Sequence, residues 1–503
     1  MKFGRFAFAL STLLLFPLGA RAQSPTATVQ VPVQSLVAEN DHVSQIETEV
    51  QKLLDDRHLK DAQIGVAVMD TVTGHLLAAA NEHKMMNPAS NAKLFTAAAA
   101  LALLRGEHKF ETSLLGSIKD GEIVGPLVVR GTGDPSLVTA DLIAMVQELK
   151  RSGVKRVSGD IAIDQRAFDA ETTPPAFEQQ PNEWATFRAN VAAVSINENT
   201  FSVTIKPTSA GQGAHVTFDP PGFVDQDGSV STSAPGPETV TLALAPNGKR
   251  LSAKVGGSVG EDTKVVRYIR RVDDPTLLVG YVLRNVLERE GIKVQGEVKE
   301  YNVAGTTKLS LLAKHTSPPL SQLLLELGKA SNNFYAEMVF KALGGEKKGR
   351  PAKSKAGAEV VSDWLKTIGA WETGTVIKNG SGLFDANRVS ALETVAMLRY
   401  AVNDVSIASE YQAQLAIGGV DGTLRSRFRN EKKRRAVRAK TGTLDDTAAL
   451  SGYVSAPPGK HPIAFSIFVN KAEGQVSNAR AAIDKLVKSV ADYQYGKLPA
   501  AKD

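Results

Sequence analysis

The sequence predicts an α/β fold of the α+β kind, one antiparallel sheet flanked by helices, with the middle of the chain inserted between its strands. Three observations lead there. Strand patterns stand near both ends, over 64–80 and again over 448–455 and 463–470, and each set needs partners. Helical patterns lie beside both sets. Between about 107 and 307 the texture changes to short strand-like runs broken by Gly, Pro, Asp and Asn. At 503 residues the chain is too long for one ordinary domain, and two or three are expected.

Taken in order, the first 22 residues read as an export signal. Lys2 and Arg5 supply charge, 6–18 an apolar core too short to span a bilayer comfortably, and Ala20-Arg21-Ala22 a small-x-small cleavage site. Cleavage after Ala22 and release into the periplasm are expected. Residues 23–40, mixing Ser, Pro, Thr, Gln and Val, read as a linker. Val43, Ile46, Val50, Leu53 and Leu54 recur at helical spacing. Ile64, Val66 and Val68 then alternate as a strand does, 71–74 turns, and 75–80 returns. Pro88 introduces an apolar helix that runs to about Leu104, with Gly106 as its stop.

The middle region carries two helical patterns, 141–151 and 277–290. Its stretch 207–262, rich in Gly, Pro, Ser and Thr, reads as a small all-β module. Helices are predicted over 320–328, 333–343, 356–368 and 391–402, and a last one over 478–493 with Asn478 as N-cap. Its apolar face (Ile483, Leu486, Val487, Val490) suits packing on the sheet. The division that follows is 41–106 with 308–495, 107–206 with 263–307, a nested 207–262, and a tail at 496–503.

Composition excludes several classes. The chain is 43% hydrophobic and 22% charged with a net charge of +6, which is ordinary for a soluble globular protein. It has no cysteine, which removes disulfides, thiolate zinc sites, a cysteine nucleophile and a lipid-modified terminal cysteine. His83 and His461 have no partners at metal or triad spacing, so neither a metal nor a cofactor is expected, and nothing points to nucleic acid. Lys432, Lys433, Arg434, Arg435 and Arg438 form a basic run that reads as a solvated loop or as a contact for anionic polymer or lipid.

The chemistry is carried by three short motifs. Ser90-Asn91-Ala92-Lys93 opens the apolar helix, where positions i and i+3 share a face, so Lys93 can reach the Ser90 hydroxyl. Read alone, Ser90 could be a plain N-cap serine. Ser152-Gly153-Val154-Lys155 repeats the spacing, but Gly153 reads as a helix stop and the two side chains would not share a face. To accept a proton, Lys93 must move from ~10.4 to roughly 7, which requires about 4 to 5 kcal/mol in favour of the neutral amine. Burial and a second cation, Lys440, are expected to supply it.

Ser331-Asn332-Asn333 offers a hydroxyl relay and an amide for substrate, and is preferred to Ser195-Ile196-Asn197, which lies among extended runs. Lys440-Thr441-Gly442-Thr443 suits a strand edge. Thr441 and Thr443 would meet a substrate carboxylate, Gly442 would let substrate backbone approach, and the N–H groups of Ser90 and Thr443 would form an oxyanion hole. Together they point to a serine acyl transferase or hydrolase acting on a peptide-like carbonyl.

With these motifs in this order, the chain resembles the class C low-molecular-mass penicillin-binding proteins, the D-alanyl-D-alanine carboxypeptidase/endopeptidase family. Gly131-Thr132-Gly133-Asp134-Pro135, Asn379-Gly380-Ser381-Gly382-Leu383 and Gly419-Val420-Asp421-Gly422-Thr423-Leu424 are similar in kind to its supporting segments. The resemblance covers nearly the whole mature chain. It implies a serine β-lactamase/DD-peptidase-like transpeptidase domain with two inserted, β-rich domains. It also implies cleavage of D-Ala-D-Ala in cell-wall stem peptides and of D-alanyl–meso-diaminopimelate crosslinks, and acylation by β-lactams. Asn379 stands where an aspartate is usual. A β-lactamase or esterase with the same motifs, and a wall-binding scaffold with a vestigial site, are the other readings. The oligomeric state, a homodimer included, is left open.

Overall fold

The computed structural model describes residues 43–302, 309–429, 431 and 433–496. The expected export signal, the linker at 23–40, Lys432 and residues 497–503 lie outside them.

A six-stranded antiparallel sheet joins the two ends of the chain. Its order is Leu76–Ala80, Gln63–Asp70, Ile463–Asn470, Thr447–Val454, Val437–Leu444 and Ala416–Ile417. Gln63–Asp70 pairs along its whole length with Ile463–Asn470, nearly 400 positions later in sequence. Both faces are covered, which is why these strands are apolar at successive positions. On one face Val66, Val68, Phe465, Ile467 and Val469 pack with Ile46, Val50, Ile483, Leu486, Val487 and Val490 from helices Val43–Leu54 and Val476–Tyr495. On the other, Ala67, Met69, Ala464 and Phe468 pack against helices Ala92–Leu104, Leu320–Gly328, Asn333–Lys348, Ser354–Thr367 and Ala391–Asn403.

The intervening chain builds five smaller sheets around its own core. A five-stranded mixed sheet runs in the order Val298–Glu300, Ile161–Asp164, Leu127–Gly131, Glu111–Gly116, Ser310–Thr316. Helices Thr139–Arg151 and Leu278–Arg289 contribute Leu142, Val146, Leu283 and Val286 to the same core. Two expected boundaries move. Ser310–Thr316 pairs with Glu111–Gly116, so the chain returns to the six-stranded sheet after 316 and not at 308. Thr200–Lys206 and Val266–Arg271 pair with each other, and the former with His215–Asp219, so this hydrogen bonding reaches beyond 207–262 on both sides.

Smaller corrections concern helix ends. Gln475, not Asn478, precedes the last helix, because the helical turn starts two residues earlier, at Val476, and takes Asn478 into its first turn. The helix after Ser90 ends on Arg105, which takes the positive φ (+75°) expected of Gly106. A short helix, Ala408–Ala413, carries no apolar repeat long enough to have been read from sequence.

One segment of the inserted region reaches back to the helical layer. Phe168, Ala189, Val191 and Ala193 pack with Phe334, Met338 and Ala342 of Asn333–Lys348. The stretch between them supplies one wall of the cleft described next.

Candidate active site

Ser90 occupies a single 3-10 turn, Ala89–Asn91, that leads directly into helix Ala92–Leu104. Ala89 is held at φ +46°, a region that side chains seldom occupy. Lys93 lies in the first helical turn with its side chain fully buried. Its Nζ is 3.0 Å from Ser90 Oγ, 2.7 Å from Asn333 Oδ1 and 2.8 Å from the Ser381 carbonyl oxygen. Burial pushes the Lys93 amine down to about 7, with the Glu337 carboxylate pulling the other way.

Lys440 is equally buried, in the strand Val437–Leu444. Its Nζ donates to Ser331 Oγ at 2.7 Å and to the Thr441 carbonyl at 2.8 Å. Burial first, and then the Lys93 charge, hold its amine well below the ordinary lysine range. Both amines are thus depressed first by burial, as expected for Lys93, and the repulsion between two cations placed so close is mutual.

Ser331 precedes helix Asn333–Lys348 and has φ +60°. Asn332, not Ser331, caps that helix, its Oδ1 accepting from the Tyr335 N–H at 3.2 Å. Freed from capping, Ser331 opens into the same cleft as Ser90, Asn333 and Thr443, a groove of about 800 Å³. Phe187, Glu183 and Gln180 of the inserted region form one wall. Asn333 is committed on both sides: its Oδ1 accepts from Lys93, and its Nδ2 donates to the Phe187 carbonyl at 2.9 Å.

The Lys-Thr-Gly strand serves the site differently from expectation at two positions. Thr441 donates its hydroxyl to Thr423 Oγ1 at 2.9 Å and does not line the cleft. Gly442 is close to the Pro88–Asn91 turn: a Cβ there would stand 2.8 Å from the Pro88 carbonyl oxygen and 2.8 Å from Asn91 Nδ2. Its missing side chain lets the strand approach the Ser90 turn. Thr443 does line the cleft, and Arg480 Nη2 donates to its Oγ1 at 3.0 Å.

The decoys separate in space. Ser152 ends helix Thr139–Arg151, and Gly153 turns the chain at φ +83°. Ser195 is buried, its Oγ donating to the Ala192 carbonyl at 2.9 Å and accepting from Asn199 Nδ2 at 2.9 Å. Asn379 is also buried. Its Oδ1 accepts from the Gly382 N–H at 2.9 Å, and its Nδ2 donates to the carbonyls of Pro175 and Leu383, so it folds the loop that carries Ser381.

Two residues at the site have no counterpart among the sequence motifs, Glu337 and Arg480. Glu337 had a legible signal. With Asn333 and Lys341 it forms an i, i+4, i+8 polar stripe on a stretch that is otherwise apolar from Phe334 to Leu343 apart from Tyr335, with Glu337 and Lys341 buried and Asn333 at the cleft. Among the described residues no cluster of His, Asp and Glu could hold a metal ion.

An antiparallel sheet with helices on both faces, holding a serine beside a buried amine at the mouth of a groove, is the arrangement of the serine β-lactamase/DD-peptidase class. The comparisons narrow this. The D-Ala-D-Ala carboxypeptidase 3 (S13) family matches residues 46–490, and the chain belongs to that family. It is thus an enzyme, a hydrolase of the serine-type carboxypeptidase kind. The D-alanyl-D-alanine carboxypeptidase of Actinomadura sp. (strain R39) is 33% identical over 98% of this chain and 92% of its own length. The carboxypeptidase DacB of Haemophilus influenzae is 28% identical over 81% of this chain and 85% of its own. The crystal structure of penicillin-binding protein 4 (dacB) from that organism aligns with a TM-score of 0.74 at 25% identity, covering 89% of this chain and 99% of the other. A complex of that protein with a β-lactam aligns at 0.69.

Proposed function

We propose that the protein is a periplasmic D-Ala-D-Ala carboxypeptidase that also opens D-alanyl crosslinks, with Ser90 as nucleophile and Lys93 as its base. The observation that carries this reading is the Lys93 amine, buried and held near neutrality 3.0 Å from the Ser90 hydroxyl. A neutral amine has two N–H donors and one lone pair. Asn333 Oδ1 and the Ser381 carbonyl can only accept, so they take both donors. The lone pair is then left facing Ser90 Oγ, which is the geometry a general base requires.

As Ser90 Oγ bonds to the penultimate D-Ala carbonyl, its proton passes to Lys93. The tetrahedral oxyanion would sit against the N–H groups of Ser90 and Thr443. The C–N bond then breaks, and the proton on Lys93 is relayed through Ser331 to the leaving amine. Lys440, 2.7 Å from Ser331 Oγ, orients that hydroxyl. Water attacks the acyl-enzyme and releases the shortened peptide, regenerating Ser90. Asn333 and Thr443, which line the groove with Ser90 and Ser331, act as walls of the peptide site.

At Thr443 the guanidinium of Arg480 occupies an oxygen lone pair, leaving the hydroxyl proton free to meet the carboxylate beside the scissile amide. Arg480→Ala is expected to raise KM for a D-Ala-D-Ala peptide by about two- to fivefold with little change in kcat, because an exposed charge contributes modestly. Steady-state kinetics on a D-Ala-D-Ala peptide checks it.

The division of labour follows the sheets: 43–106 with 317–496 carries the chemistry, and the inserted region supplies the Gln180–Glu183–Phe187 wall. Export is supported by the charged and apolar opening of the sequence. No helix of the described residues is long and apolar enough to cross a membrane. Intact-protein mass after exposure to benzylpenicillin tests the nucleophile. Wild type and Ser152→Ala should both gain one drug mass and Ser90→Ala none; labelling of Ser90→Ala sinks the assignment. A lasting adduct separates the peptidase from a β-lactamase. Purified crosslinked muropeptides, scored for free D-Ala against split dimers, measure the two activities.

A further inference from the structure

Glu337 is the carboxylate whose charge acts on Lys93, favouring the protonated amine. It is 1% exposed, in the second turn of helix Asn333–Lys348. A carboxylate that deep is expensive unless its oxygens are occupied. Both are: Oε1 accepts from the Ser381 N–H at 2.7 Å and Oε2 from the Gly380 N–H at 3.2 Å. The same turn sends the Ser381 carbonyl to Lys93 Nζ. Thr96, three positions and about one helical turn beyond Lys93, donates to the Gly380 carbonyl at 2.8 Å.

We propose that Glu337 is a positioning residue of the reaction, gripping the Gly380–Ser381 turn that aims the Lys93 amine and placing an acid behind it. The proposal rests on the reading of Lys93 as the base. It gives a reason for a buried acid where an apolar side chain would pack at less cost. The turn has no other anchor of that strength on its N–H side, and a carboxylate is the group that can accept from two successive N–H donors at once.

The charge has a direction of effect. Burial favours the neutral amine, and a nearby anion favours the charged one. Glu337 therefore opposes burial and keeps Lys93 basic enough to take a proton near neutral pH. The other charged groups around it do not substitute for it. Lys341, one turn further on the same helix, is paired with Asp169 at 2.5 Å, and Lys440, on the facing strand, is an amine that supplies no negative charge.

The test is the pH dependence of acylation by benzylpenicillin, followed by intact mass on the full chain, with thermal unfolding recorded beside it. Glu337→Gln removes the charge and turns an amide donor toward a backbone donor. Its acid limb is expected to move about one pH unit or more to lower pH, with a plateau rate down by about tenfold or more. Glu337→Asp keeps the charge but is one carbon too short to hold both N–H groups. It is expected to retain the wild-type limb and lose plateau rate. A lowered Tm with limb and plateau both at wild-type values in the Gln variant overturns the proposal. So does a wild-type plateau in the Asp variant, which also serves if the Gln variant does not fold. Failure of the underlying reading is distinct: it would show as a wild-type limb and rate in a protein lacking the Lys93 amine.

Discussion

Lys93→Met is expected to slow acylation of Ser90 by about 10²- to 10⁴-fold, the range a positioned general base supplies. The protein should still fold, because methionine fills a similar volume in a site that is fully buried. In wild type the acylation rate should rise with pH through about 7, where burial has placed the amine, and then level off. The sign follows from the role: below that value Lys93 is protonated and has no lone pair to offer. Two units below it, roughly one molecule in a hundred carries the neutral amine, so the rate near pH 5 should be about a hundredfold under the plateau. A rate–pH series on both proteins checks this. A wild-type profile that is flat between pH 5 and 8, or a methionine variant as fast as wild type, would remove Lys93 from the reaction.

Gly382→Ala should be nearly as damaging, for a steric reason. Gly382 has φ +74°, and a Cβ there would lie 1.8 Å from the Ala89 carbonyl oxygen and 2.8 Å from the Ala92 Cβ. Those atoms are backbone and helix, on either side of Ser90, and cannot step aside as a flexible side chain can. Overlap of that kind, added to a left-handed backbone, costs about 3 kcal/mol or more. The turn can relieve it only by withdrawing from Ala89, which takes the Ser381 carbonyl away from Lys93. A lower Tm and at least a tenfold loss of acylation rate are expected. Gly349→Ala is the control, since Gly349 has φ +99° with nothing within 4 Å of its Cβ position. It should cost only about 1 to 2 kcal/mol and leave acylation unchanged. Equal effects at both positions would mean that contact with Ala89 is not what matters.

The central sheet and the helices around it were legible because each carries a complete local signal. Leu320–Gly328 and Ile463–Asn470 coincide with their sequence patterns, and the apolar face of the last helix is the face that packs. Ser90, Lys93, Ser331 and Lys440 could be singled out because their spacings match a helix turn, a loop and a strand edge. What sequence did not carry was pairing and orientation. Ser310–Thr316 looks alike whichever sheet it joins, and only its ladder to Glu111–Gly116 decides. The hydroxyls of Thr441 and Thr443 share a strand, yet one is spent on Thr423 and the other faces the groove beside Arg480. Gly442 was marked as a place of close approach, and the neighbour that approaches it in the fold is the Pro88–Asn91 turn. Glu337 was passed over because a lone acid in a helix ordinarily marks its wet side.

The ladder between Gln63–Asp70 and Ile463–Asn470 has a consequence for how the enzyme comes into being. The second strand of the sheet has to wait for its neighbour until about 400 further residues have been made, and closing so large a loop is a slow event. The inserted core can settle first, as sequential folding of nascent chains favours. On the proposed reading, Ser90 and Lys93 leave the ribosome early and are held in place only once Ile463–Asn470 has joined Gln63–Asp70.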